Sequence, residues 1–180
     1  EGMELVKRIK NNKVLPQFTS CCPAWVKYCE IFYPELLPNL STAKSPIIMQ
    51  STLIKTYFAN KENINPEDIV NVVIPPCTAK KAEINRKELN YTEKDTDYLL
   101  TTRELAKLIK RSGINFTKLP DEEFDQDIMG EYTGAGVIFG ATGGVMEAAL
   151  RTVVDVLTNQ DLENIDYTAV RGVEGLKEAS

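Results

Sequence analysis

Histidine is absent from this 180-residue chain, and two chemistries go with it. The side chain most often used as a general base is missing, and so is the commonest metal-binding imidazole. Any proton transfer falls to Glu, Asp, Cys, Lys, Tyr or water. An excess of basic charge is also lacking: 21 Lys and Arg face 26 Asp and Glu, for a net charge of −5. That balance argues against a nucleic-acid-binding surface, which is basic. No apolar run approaches the roughly 20 residues of a membrane-spanning helix. No signal peptide, internal repeat or low-complexity linker is visible, although the chain opens in mid-pattern, as a fragment does. The expectation is a cytoplasmic protein with no membrane or nucleic-acid partner.

Cysteine is scarce. The four residues are Cys21, Cys22, Cys29 and Cys77. In a long acidic chain they read as reduced intracellular thiols rather than a disulfide framework. With 43% hydrophobic and 26% charged residues, the chain has the composition of an ordinary globular domain long enough to bury a core.

Two stretches share one design. Phe18-Thr19-Ser20-Cys21-Cys22-Pro23-Ala24-Trp25 and Ile74-Pro75-Pro76-Cys77-Thr78-Ala79-Lys80-Lys81-Ala82-Glu83 each run from apolar residues through cysteine and proline into a helical pattern. Each is expected to hold a thiolate at the C-terminal tip of a strand, beside a helix N-terminus. Free backbone N–H groups and the helix dipole stabilise negative charge there. Thiolates so placed suit a soft metal centre such as an iron–sulfur cluster. The pair taken alone also reads as two merely buried cysteines. Their matching corners favour a site, because open α/β sheets place sites at strand C-terminal ends. Cys29, seven positions after Cys22 on a helix with Trp25 and Phe32, reads as a small buried hydrophobe.

Short strands expected at 14–19, 69–74, 97–101 and 166–170 alternate with helices. The helices begin near Glu1, Pro23, Pro46, Ala79, Thr102 and Val145. The pattern indicates an α/β fold: a layered, mostly parallel short sheet flanked by helices. Ile69 to Ile74 is nearly all apolar, as in a strand buried on both faces. Ser45-Pro46 reads as N-cap and first helical residue. Thr101 and Glu104 form a capping box, and Gly113 is that helix's stop. The acidic run over 121–127 reads as a solvated loop.

Five of the ten glycines fall between Gly134 and Gly144. As a phosphate cradle the spacing Gly134-x-Gly136-x-x-x-Gly140 is one residue too long for the dinucleotide fingerprint, and no Gly-Lys-Ser/Thr follows. The other reading is a backbone that approaches something bulky with no Cβ in the way, such as a cofactor against Phe139, Gly140 and Gly143.

Three segments carry a resemblance: Thr19 to Trp25, Pro76 to Glu83, and Phe139-Gly140-Ala141-Thr142-Gly143-Gly144-Val145-Met146-Glu147. In this order, with Thr101 to Leu105 and Gly130-Glu131-Tyr132, the chain resembles the active-site domain of [FeFe]-hydrogenases along essentially its whole length. The resemblance implies a [4Fe–4S] cubane joined through a cysteine to a diiron unit with CO, cyanide and a bridging dithiolate. That cofactor interconverts protons, electrons and H2 and exchanges electrons with ferredoxin or another carrier. It also implies roles. Cys22 and Cys77 match cubane ligands, and Cys21 matches the cysteine that relays protons. Ser20 and Lys80 match groups that bind the cyanides. Ser41, Glu4 and Glu1 match the outward relay. Phe139, with Gly140 and its neighbours, lines the pocket.

The family takes two further cubane ligands from a C-terminal cysteine motif that this chain lacks, and N-terminal ferredoxin-like domains are also missing. Residues 1–180 are therefore expected to be one lobe of the domain, apo and inactive by itself, facing a missing lobe of the same parent chain. Pro75 stands where the resemblance expects methionine, and Ile47 and Ile48 where it expects glutamines. These changes leave open a sensor of H2 or redox state. A second alternative is an iron–sulfur assembly relative, against which the retained Cys21 and Lys80 argue.

Overall fold

The computed structural model describes residues 1–123, 129, 134–141 and 143–160, with the strand residues 168–169 and 177–178. The chain divides into two compact units, one of Glu1–Gln17 with Glu131–Ser180 and one of Phe18–Gly130.

In the first unit, α1 (Gly2–Lys10) packs against α8 (Gly144–Thr158), and α7 (Gly134–Ile138) packs against α8 as well. The approach of α1 is close. A Cβ on Gly2 would lie 3.1 Å from the Ala149 carbonyl oxygen and 3.4 Å from Val153 Cγ2. Val6 and Ala148 are buried. Strands β3 (Thr168–Ala169) and β4 (Lys177–Glu178) pair antiparallel.

The second unit holds α2 (Pro23–Phe32), followed by a 3-10 turn at Pro34–Asn39. Then comes a long helix whose parts are α3 (Pro46–Leu53), a π-helical turn (Ile54–Phe58) and α4 (Ala59–Lys61). Strand β1 (Val72–Val73), α5 (Lys80–Glu83), β2 (Tyr98–Leu99) and α6 (Thr102–Arg111) complete it. Strands β1 and β2 pair in parallel, Val72 opposite Tyr98 and Val73 opposite Leu99. The core is Ile48, Ile84 and Leu99, with Val73 and Leu89 packed on it. The α/β reading holds, with the parallel pair inside a helix-rich unit.

Capping chemistry appears where it was read. Ser45 caps α3 and accepts from the Ile48 N–H, with Pro46 next. Thr101 accepts from the Glu104 N–H at 3.2 Å, and the Thr101 N–H donates to Glu104 Oε2 at 2.8 Å. Gly113 takes a positive φ of 71°, the left-handed conformation that glycine reaches without a Cβ clash.

The strands differ from expectation. Of 14–19, only a parallel bridge between Phe18 and Leu40 forms, since Pro16 has no N–H to donate to a ladder. Of 69–74, only Val72 and Val73 pair. That segment is not buried on both faces: Val70 is 65% and Val72 45% exposed, because a two-stranded sheet offers cover on few sides. Most of the expected strand at 166–170 lies outside the described residues, as do 124–128 of the acidic run and the whole Gly130-Glu131-Tyr132 motif.

Two buried polar centres support the second unit. Lys55 is turned inward, paired with Asp97 Oδ2 at 2.9 Å and donating to the carbonyls of Pro66 and Ile69. Asp95, fully buried, accepts from Thr52 Oγ1 at 2.7 Å and from the N–H groups of Tyr91 and Thr92. Such groups stay inside only because each is paired.

Candidate metal centre

The first cysteine corner is held from both sides. Phe18 and Trp25 meet edge to face, ring centroids 5.9 Å apart. The Phe18 N–H donates to the Asn39 carbonyl, and the Ser41 N–H to the Phe18 carbonyl, each at 2.8 Å. Cys22 is the N-cap of α2, with Pro23 in the first turn, and its carbonyl accepts from the Val26 N–H at 3.1 Å. The Cys22 thiol is free and exposed, and Cys21 is half-buried.

The second corner follows β1. Cys77 is also free and exposed. The helix after it, α5, has four residues, so it sums fewer peptide dipoles than the ten-residue α2 and favours negative charge less than the sequence pattern suggested. The corners come together in space. Helix α5 packs on α2, and Lys80 Nζ donates to the Cys21 carbonyl at 2.7 Å.

Lys80 has a second partner that sequence reasoning missed. Its ammonium pairs with Glu83 Oε2 at 2.8 Å, and the Ser45 hydroxyl donates to the same oxygen at 3.0 Å. Glu83 is buried. The signal was present in the three-residue spacing, which puts Lys80 and Glu83 on one face of a helix.

The candidate serines meet at one residue, Ala43. Ser20 Oγ donates to the Ala43 carbonyl at 2.6 Å, and the Ala43 N–H donates to Ser41 Oγ at 3.1 Å. Ser20, Ser41, Ser45 and Glu83 line a cavity of about 160 Å³.

Glu1 and Glu4 belong to the other unit, with Phe139 and Gly140. Glu1 precedes α1, and its carbonyl accepts from Gln17 Nε2 at 3.2 Å. Glu4 Oε1 accepts from Arg8 Nε at 3.1 Å and from its terminal nitrogen at 2.8 Å. Phe139 is 40% exposed. Among the described residues the tightest glycine is Gly144, where a Cβ would lie 1.8 Å from the Ile138 carbonyl oxygen. Backbone crowding within the α7–α8 turn therefore explains that glycine. Gly143 at φ 80° is the left-handed residue of the turn.

Cys29 is fully buried, as read. Burial, and then the nearby Glu35 charge, pushes its thiol pKa up, so it stays a protonated packing group.

The donor set fits part of an iron–sulfur site. Two exposed free thiols on adjoining corners would supply two of the four sulfur ligands such a cluster takes. Among the described residues no group of three or more Cys, Asp or Glu gathers to hold a metal ion. Among them, too, no helix is long and apolar enough to cross a membrane.

The chain is 53% identical over 180 residues to iron hydrogenase 1 of Clostridium pasteurianum, covering 99% of this chain and 31% of that protein. It is 52% identical over 183 residues to the periplasmic [Fe] hydrogenase large subunit of Nitratidesulfovibrio vulgaris, covering 100% and 43%. An apo [FeFe]-hydrogenase structure from Chlamydomonas reinhardtii matches with a TM-score of 0.81 at 43% identity, over 98% of this chain and 45% of that one. A cytosolic Fe–S cluster assembly factor of Phaeosphaeria nodorum is more distant, at 31% identity over 92% of this chain. The chain thus spans less than half the length of each of these relatives. Residues 1–180 match the family model for the iron only hydrogenase large subunit, C-terminal domain, and the chain belongs to that family.

Proposed function

We propose that this chain is one lobe of a hydrogenase active-site domain and that its parent protein interconverts H2 with protons and electrons. The observation that carries this reading is the junction of the two cysteine corners, tied by Lys80 Nζ on the Cys21 carbonyl, in a chain 53% identical to an iron hydrogenase. When bound, the [4Fe–4S] and diiron cofactor supplies the redox-active iron at which H2 is made or split.

The chain's own residues supply the surroundings. Cys22 and Cys77 are two thiolate ligands of the cubane. The other two come from the rest of the parent protein, so the isolated chain stays apo and inactive. Lys80 would donate a hydrogen bond to an anionic cyanide, and Ser20 would do so on exchanging its bond to the Ala43 carbonyl; charge-assisted bonds of this kind are the strong ones. Cys21 moves protons to and from the cofactor, and Ser41, Glu4 and Glu1 carry them outward. A thiol, a hydroxyl and two carboxylates suffice for that relay in a chain without histidine. Phe139 and Gly140 form pocket wall. The electron partner is ferredoxin or a similar carrier, and the compartment is the cytoplasm.

The sensory alternative draws less support. Ile48, one of the residues that suggested it, is a fully buried member of the core with Ile84 and Leu99, so its change is accounted for by packing. The test is the full-length parent, matured anaerobically and assayed with a reduced electron donor. Sustained H2 evolution is expected. A fully loaded cofactor with no turnover would instead mark a sensor.

A further inference from the structure

Lys80 is placed by more than its own backbone. An ammonium has three N–H donors on a flexible four-carbon stem. One goes to the Cys21 carbonyl at 2.7 Å and one to Glu83 Oε2 at 2.8 Å. Among the described residues no protein group takes the third. Glu83 is itself fixed: its side chain is 4% exposed, and Ser45 Oγ donates to it at 3.0 Å. Ser45 in turn is the buried N-cap of α3. A chain of contacts therefore runs from the start of α3 through Ser45, Glu83 and Lys80 to the backbone of Cys21. A buried carboxylate is retained only with such partners, and removing one leaves the other uncompensated.

We propose that Glu83 is the positioning residue of this site: anchored by Ser45, its carboxylate holds the Lys80 ammonium against the Cys21 carbonyl and leaves one N–H donor for an anionic ligand of the cofactor. The identity of that anion, a cyanide on iron, rests on the hydrogenase reading; the placement of Lys80 does not. Glu83 touches no reacting atom in this scheme. It acts through Lys80, and it keeps a flexible cation ordered before the cofactor arrives.

The test uses the full-length parent protein in two forms. In the cofactor-free form, lysine acetylation is followed residue by residue by mass spectrometry. Lys80 is expected to react at least about tenfold faster in Glu83→Ala than in the unaltered protein, the loss anticipated for a charge-assisted hydrogen bond. Glu83→Asp is expected to restore part of the protection, and rates at Lys44 and Lys81 are expected to stay unchanged. If Glu83→Ala unfolds, all three lysines accelerate together, and Ser45→Ala decides instead: faster reaction at Lys80 alone supports the clamp. An unchanged Lys80 rate in a folded Glu83→Ala protein, or in Ser45→Ala where that variant decides, overturns it.

In the matured form, the infrared cyanide stretches are expected to shift in Glu83→Gln, and identical bands would overturn the link from Glu83 to the ligand. Absence of cyanide bands from the unaltered parent after maturation would remove the hydrogenase reading and leave the acetylation result to judge the clamp by itself.

Discussion

Cys22 and Cys29 sit on one helix, seven residues apart, the first open to solvent at the N-cap and the second fully buried. Reaction at sulfur requires an accessible thiolate. In the cofactor-free parent protein, brief iodoacetamide treatment is expected to alkylate Cys22 and Cys77 and to spare Cys29. Peptide mass spectrometry reads the three sites separately. Early labelling of Cys29 would place that thiol outside the core.

Removing either proposed ligand is expected to empty the metal centre. Cys22→Ser and Cys77→Ser in the full-length parent should each lower cubane occupancy at least about tenfold, since loss of even an outer partner weakens a metal site by about 10- to 100-fold. Iron and sulfide analysis with electron paramagnetic resonance measures this. The isolated 180-residue chain, reconstituted with iron and sulfide, is expected to give no stoichiometric [4Fe–4S] signal.

Gly144→Ala tests the α7–α8 turn. The added methyl would meet the Ile138 carbonyl oxygen at 1.8 Å, so backbone has to move. A cost of about 2–4 kcal/mol is expected, in the range of overpacked or strained positions. Urea midpoints of the parent and the variant report it. An unchanged midpoint would mean that the turn relaxes freely.

The start of α6 carries a pH dependence. Hydrogen bonds from Lys81, and then from the Thr101 N–H and hydroxyl, lower the Glu104 pKa from 4.5 to about 2. A depressed carboxylate stabilises the fold fully above its unfolded pKa and loses that contribution as pH falls through the folded value. Stabilisation of the α6 N-terminus is therefore present at neutral pH, begins to fall below about pH 4.5 and is gone below about pH 2. Amide hydrogen exchange at the first turn of α6 should track this window, and Glu104→Gln should flatten it.

Much of the local structure was legible because its causes are local. The Ser45 cap, the Thr101–Glu104 box and the Gly113 stop depend on groups within a few residues of each other. Cys29 is buried as read, but Phe32 on the same helix is 63% exposed, so its cover comes from the tertiary packing and not from its helix neighbours. The strands were less legible. Apolar runs at 14–19 and 69–74 announced extended chain, but pairing needs a partner with free N–H and C=O groups at the right register. Pro16 and the narrow two-stranded sheet limited what formed.

The site divides the same way. By itself the sequence determined which sulfurs stand at helix entries and which family motifs surround them, since motif spacing is a property of the chain. Only the tertiary structure decided that the two corners touch, that Lys80 ends on the Cys21 carbonyl, and that Glu83 and Ser45 stand behind it. Those contacts join residues 38 and 59 positions apart. A buried charge chooses its partner by distance and desolvation in three dimensions, which no local pattern records.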